Sequence, residues 1–170
     1  MKYLNVDLLG LSGYCHPAIR NITNTRDVPK LRSHLKFLTG DYLTYSRLAY
    51  DRQGGNPGCR LCPADFEDIE HVLTICRGTA DIRERLLPDL LNTISKLDPT
   101  CRILDQSTLT PHTLTQFLLD CGSPNLTADY HIGYHNPDIS DIFKISRDWC
   151  YAVSSERKRL LKELKLDDEY

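Results

Sequence analysis

The stretch Cys59-Arg60-Leu61-Cys62, followed by His71-Val72-Leu73-Thr74-Ile75-Cys76, decides how the chain is read. Its ligand-type residues are spaced C-x2-C-x8-H-x4-C. Two thiolates separated by two residues can meet one metal from a single tight turn, and a later histidine and cysteine complete a tetrahedral set. Gly58 precedes the first cysteine and Pro63 follows the second, so the pair sits in turn-forming sequence. A zinc ion (Zn2+) held by Cys59, Cys62, His71 and Cys76 is therefore expected. Residues five apart on a regular helix are rotated by about 140°, so His71 and Cys76 cannot share one helical face. The helix carrying His71 is expected to loosen or stop near Cys76, with Gly78 as the stop signal.

Two other readings compete. Cysteine is commonly buried without any metal. Disulfides are the weaker competitor, because seven cysteines is an odd number and Asn5 and Asp7 interrupt any apolar signal core. A reducing, intracellular setting, nuclear or cytoplasmic, is expected. No apolar run approaches the ~18 residues that cross a bilayer.

Between the second cysteine and the histidine lie Asp65, Glu67, Asp68 and Glu70. Asp65 can cap a helix and the following carboxylates favour its N-terminal dipole, which explains them as helix-start electrostatics rather than as catalytic acids. Ile69, Val72 and Leu73 give that helix an inward side.

A chain of 170 residues with 41% apolar and 26% charged residues suits one folded domain, or a modest domain with an extended tail. The net charge of −2 makes no case for nucleic acid, but its distribution is uneven. Residues 20–60 hold eight basic and three acidic side chains, whereas residues 61–98 hold four basic and eight acidic ones. Lys30, Arg32, Lys36, Arg47, Arg52 and Arg60 are the candidate phosphate contacts, since neutralising phosphates supplies most sequence-independent affinity for nucleic acid. A solvated helix face explains the same charges without a ligand.

Elsewhere the apolar spacing is helical. Val28, Leu31, Leu35 and Leu38 mark a helix with Thr25 or Asp27 as its cap, Pro29 in its first turn and Gly40 at its end. Asp41 to Tyr50 reads as a short tyrosine-bearing helix. Ala80 to Leu97 repeats the pattern, with Pro88 expected to kink or break it. A helix after Pro111 carries Leu114, Phe117, Leu118 and Leu119, and the longest candidate spans Asp138 to Leu164. Cys15-His16 is a tempting ligand pair, but adjacent residues rarely bind one metal. With no convincing strand, the expected fold is mainly α: a small helical domain at residues 14–100 organised around the CCHC zinc site, and a helical C-terminal extension at residues 101–170.

These residues resemble a known family. Leu38-Thr39-Gly40, the tyrosine-rich stretch after it, Cys59-Arg60-Leu61-Cys62, and Glu67-Asp68-Ile69-Glu70-His71-Val72-Leu73-Thr74-Ile75-Cys76 are similar to the C-terminal part of non-LTR retrotransposon reverse transcriptases. Arg83 fits the same pattern, and His16-Pro17 and Ser146-Arg147-Asp148-Trp149-Cys150 fit it less specifically. The resemblance covers residues 14–100 well and the rest loosely. It implies that Cys59, Cys62, His71 and Cys76 are the zinc ligands and that the segment helps a polymerase hold RNA or target DNA.

The departures bear on activity. The family's polymerase acids, paired aspartates after a tyrosine, have no counterpart, and Asp167-Asp168 lies at the charged C-terminus instead. Without metal-binding acids, phosphoryl transfer is not expected. Pro137-Asp138 with Asp141 matches the nuclease of some relatives only faintly, with no suitably placed lysine. The chain thus reads as a non-catalytic remnant or excised tail of such an element. The expected function is a zinc-binding nucleic-acid-binding module with RNA or DNA as partner. The alternative is a structural or protein-interaction module that docks on a reverse transcriptase polymerase domain or another protein. A zinc hydrolase ranks last, because four ligands fill the shell that catalytic zinc keeps open.

Overall fold

The computed structural model describes residues 19, 22, 24–97, 109–121 and 139–166. The pairs Cys15-His16, Asp98-Pro99, Pro137-Asp138 and Asp167-Asp168 lie outside them. Among the described residues the chain is helical, with no strand. The α-helices are α1 (Val28–Thr39), α2 (Tyr45–Asp51), α3 (Ala80–Leu97), α4 (Pro111–Asp120) and α5 (Ile139–Glu163). The mainly α fold expected from the apolar spacing is the one observed.

Local chemistry sets the boundaries. A 3-10 turn, Thr25–Asp27, leads into α1 and is capped by Asn24, whose side chain accepts from the Arg26 N–H. Asp27 occupies the N-cap position of α1 without a side-chain hydrogen bond, so neither residue expected as the cap performs that task. Gly40 ends α1 at φ 80°, a left-handed conformation that glycine adopts without a Cβ penalty. The chain then runs irregularly to Thr44, whose hydroxyl accepts from the Arg47 N–H and starts α2 at Tyr45 rather than at Asp41. Helix α3 continues through Pro88 unbroken. Proline removes one i→i−4 bond, and the buried Leu90 and Ile94 hold the following turns against the core.

One core joins all of this. Phe37 and Leu38 of α1, Val72 and Leu73 beside the histidine, and Leu90 and Ile94 of α3 pack with Phe117, Leu118 and Leu119 of α4. Ile142, Phe143, Trp149 and Val153 of α5 belong to the same cluster. Fully burying side chains of this kind stabilises by about 1.5–3 kcal/mol each. Helices α4 and α5, from the C-terminal region, therefore complete the core around the cysteine-histidine segment. Helix α5 lies along α1 in parallel: Asp148 meets Lys30 near the start of α1, and Arg157 stands over the Tyr42 ring just past its end. Among the described residues, no helix is long and apolar enough to cross a membrane.

Candidate metal centre and cationic groove

The Cys59–Cys62 turn is closed by backbone hydrogen bonds. The Cys59 N–H donates to the Ala64 carbonyl and the Ala64 N–H to the Cys62 carbonyl, each at 2.9 Å. The Leu61 N–H points at Cys59 Sγ, 3.4 Å away, so the turn presents a donor to the sulfur it positions. Asn56 accepts from the Gly58 N–H at 2.8 Å and shapes the entry.

The second half of the motif solves the spacing problem by changing helix type. His71–Ile75 form a π-helical turn, and the Cys76 N–H donates to the His71 carbonyl at 2.8 Å. An i→i+5 bond stacks residues five apart above one another, which a regular α-helix does not. His71 and Cys76 are thereby brought to one side. Asp68, not Asp65, anchors the start: its carboxylate accepts from the His71 N–H at 2.8 Å. Gly78 does not act as a stop signal in a left-handed conformation. It sits where a Cβ would come within 2.7 Å of Leu61 Cβ, so its role is to let the segment after Cys76 press against the Cys-x2-Cys turn.

One ligand atom from each of Cys59, Cys62, His71 and Cys76 lies within 4.8 Å of all the others, a group that could hold a metal ion. Two of its edges are Cys59 Sγ to Cys76 Sγ, 3.7 Å, and Cys62 Sγ to His71 Nε2, 3.4 Å. A tetrahedral ion with bonds of about 2.3 Å to sulfur and 2.0–2.1 Å to nitrogen has sulfur–sulfur edges near 3.8 Å and sulfur–nitrogen edges near 3.6 Å. The donor set matches both. His71 and Cys76 are buried, and Cys59 and Cys62 are partly covered.

The electrostatics of the bare donors point the same way. The close approach of Cys59 and Cys76 splits the pair. The hydrogen bond from Cys59 holds Cys76 down to about 4, while that same bond, reinforced by burial, raises Cys59. The contact thus favours the ionised form at Cys76 over Cys59. The half-buried Arg83 is oriented beside it, donating to Thr79 Oγ1 at 3.0 Å and to the Ile75 carbonyl at 3.3 Å. Burial pulls its guanidinium downward, and attraction to Cys76, Glu84 and Cys62 opposes that. Three thiolates around a divalent ion leave one excess negative charge, which Arg83 is placed to balance.

The six candidate phosphate contacts do not share one surface. Lys30 is raised by its 2.7 Å bond to Asp148 and is also near Asp27. Arg47 faces Asp51 and Asp41 and donates to the Gly40 carbonyl. Arg52 and Arg60 line a small cleft of about 100 Å³ beside α2, with the Arg60 guanidinium 5.0 Å from the centre of the Tyr45 ring. Arg32 and Lys36 lie elsewhere, on one wall of a groove of about 760 Å³ between α1 and α5.

The opposite wall carries Lys158 and Lys162, and among the described residues no carboxylate lines the groove. All four of these cations are exposed, and none has an ion pair among the described residues. Arg157 also reaches the groove, but Glu67 neutralises it. The sequence marked the end of α5 as basic. The signal that Lys158 and Lys162 belong with Arg32 and Lys36 is their i,i+4 spacing on the same face as Tyr151 and Ser154, which only the packing of α5 on α1 connects to the other pair.

Comparison with protein-family models, curated proteins and solved structures returns no match for this chain.

Proposed function

We propose that the chain is a zinc-stabilised, non-catalytic module that binds RNA or DNA through phosphates. This is the part played by the C-terminal tail of the non-LTR retrotransposon reverse transcriptases that its motif resembles. Three cysteine sulfurs and one imidazole gathered within 4.8 Å of one another are a donor set that suits tetrahedral zinc. Four protein donors leave no open position for a reacting water, which supports a structural ion. When bound, zinc supplies a cross-link between the Cys59–Cys62 turn and the π turn.

The observation that carries the binding function is the α1–α5 groove. Arg32, Lys36, Lys158 and Lys162 converge there from segments more than a hundred residues apart, with no carboxylate among the described lining residues. Each cation that neutralises a phosphate releases counterions, so log affinity falls with log salt by about 0.7 to 0.9 per contact. The test is a binding titration of the zinc-loaded protein at several salt concentrations. Replacing all four cations with glutamine is expected to weaken binding and to flatten the salt dependence by about 3 in slope. Unchanged affinity and slope would reduce these cations to a solubilising surface.

A further inference from the structure

The groove is not only cationic. Val28, Pro29, Leu43, Tyr151 and Leu161 line it together with the cations. Val28, Leu43 and Tyr151 are each at least 40% exposed, so three large apolar side chains meet solvent within this one groove. Beneath them Tyr42 stacks on Phe37, with ring centroids 3.8 Å apart, and its burial raises its hydroxyl above the ordinary tyrosine range, with Ser154 and Arg157 as polar neighbours. The floor is therefore backed by core packing rather than by a loop. Along each wall the cations recur every four residues, about 6 Å apart on a helix.

A duplex offers phosphates to such walls but keeps its bases paired and stacked, so an apolar floor gains nothing from it. An unpaired strand offers both: phosphates for the rims and exposed base faces for the floor. Proteins that bind single strands without sequence preference combine these two features, a positively charged groove and side chains on which bases stack. We infer that the α1–α5 groove is a binding site for single-stranded nucleic acid, in which Arg32, Lys36, Lys158 and Lys162 hold phosphates and a base stacks on Tyr151 over the apolar floor. This rests on the phosphate-binding role proposed above and adds to it the strandedness of the ligand and an aromatic contact.

The occupant is chosen by charge complementarity together with the exposed aromatic ring. An acidic amphipathic helix is the competing occupant that the same chemistry admits.

The test uses the full zinc-loaded chain, with fluorescent oligodeoxythymidine and an oligodeoxyadenosine–oligodeoxythymidine duplex of equal length as probes. Wild-type protein is expected to favour the single strand about tenfold or more. Tyr151→Ala is expected to lower single-strand affinity about five- to tenfold, the lower part of the range for one base–aromatic stack. Its salt slope and its duplex affinity should not change, and Tyr151→Phe should keep wild-type behaviour. Tyr151 is a partly exposed ring, and thermal melting of each variant checks that the fold is retained.

Equal affinity for the two probes, or an inert Tyr151→Ala, overturns the single-strand site while leaving phosphate binding intact. Salt-insensitive or absent binding of both probes overturns the phosphate-binding function as well. Displacement of the single strand by a leucine- and glutamate-rich helical peptide that binds more tightly assigns the groove to a protein and overturns the inference.

Discussion

Arg157 donates through Nη2 to Glu67 Oε1 at 2.6 Å, both side chains almost fully buried and ninety residues apart in sequence. The same carboxylate oxygen also accepts from the Tyr45 N–H, at 2.9 Å. Glu67 belongs to the segment between the second cysteine and the histidine, and Arg157 to α5. Its guanidinium also lies 5.7 Å and 5.4 Å from the ring centres of Tyr42 and Tyr45. A single ion pair thus ties the metal loop, the start of α2 and the groove helix together.

Removing one partner leaves the other charge buried and alone, which costs about 3–5 kcal/mol. Glu67→Ala and Arg157→Ala are each expected to lower unfolding free energy by that amount. Glu67→Leu combined with Arg157→Met should cost less than either single change, because no charge is stranded. Denaturant titrations of the four proteins measure this, and additive single losses would mean that the two residues do not act as a pair.

Structural zinc in finger peptides is worth about 10–16 kcal/mol of apparent binding energy, against about 5–15 kcal/mol for a whole domain. Chelation, Cys62→Ser or His71→Ala is therefore expected to destabilise the region from Gly58 to Ile94. Hydrogen exchange locates the loss, and elemental analysis follows the metal. Wild-type protein that carries no zinc and melts identically with and without chelator would falsify the structural role.

Arg83 touches no donor sulfur by hydrogen bond, yet it stands beside two of them. Groups outside the ligand shell commonly change metal affinity ten- to a hundredfold. Arg83→Met should weaken zinc binding within about that range while Arg83→Lys loses less, read by competition with a chromophoric chelator. Equal affinity in all three proteins would make Arg83 a clip for the Thr79 and Ile75 turn alone.

Cys121 and Cys150 are fully buried, and burial raises both thiols above their ordinary value of 9.0. In the unfolded chain they ionise at about that value, whereas in the fold they keep their protons. The unfolded state therefore binds fewer protons above pH 9, and stability falls as pH rises through that point by up to about 1.4 kcal/mol per pH unit per thiol. Below it their contribution is constant. Unfolding titrations on either side of pH 9 should show the decline, and Cys121→Ala with Cys150→Ala should remove its share.

Much of this was readable from local rules. Helical periodicity located α1, α3, α4 and α5 because an amphipathic helix needs one apolar stripe whatever it packs against. Gly40 marked the end of α1 through a backbone preference that acts at a single residue. The four clustered donor residues were legible because ligand chemistry is written in residue type and spacing. The five-residue step from His71 to Cys76 even announced that a regular helix could not continue there, although not that a π turn would replace it. Asp65 was misread as the cap because Asp65 and Asp68 satisfy the same local rule, and the position of the first helical N–H chose between them.

By itself, then, the chain's sequence determined a helical fold and one cluster of soft donors, since both follow from short-range chemistry. Tertiary packing decided which cations meet. Laying α5 along α1 gathered Arg32, Lys36, Lys158 and Lys162 around one groove, drew Lys30 onto Asp148, and buried Arg157 against Glu67. Charge acts through space over several ångströms, so its partners are set by the distances that folding creates between remote segments.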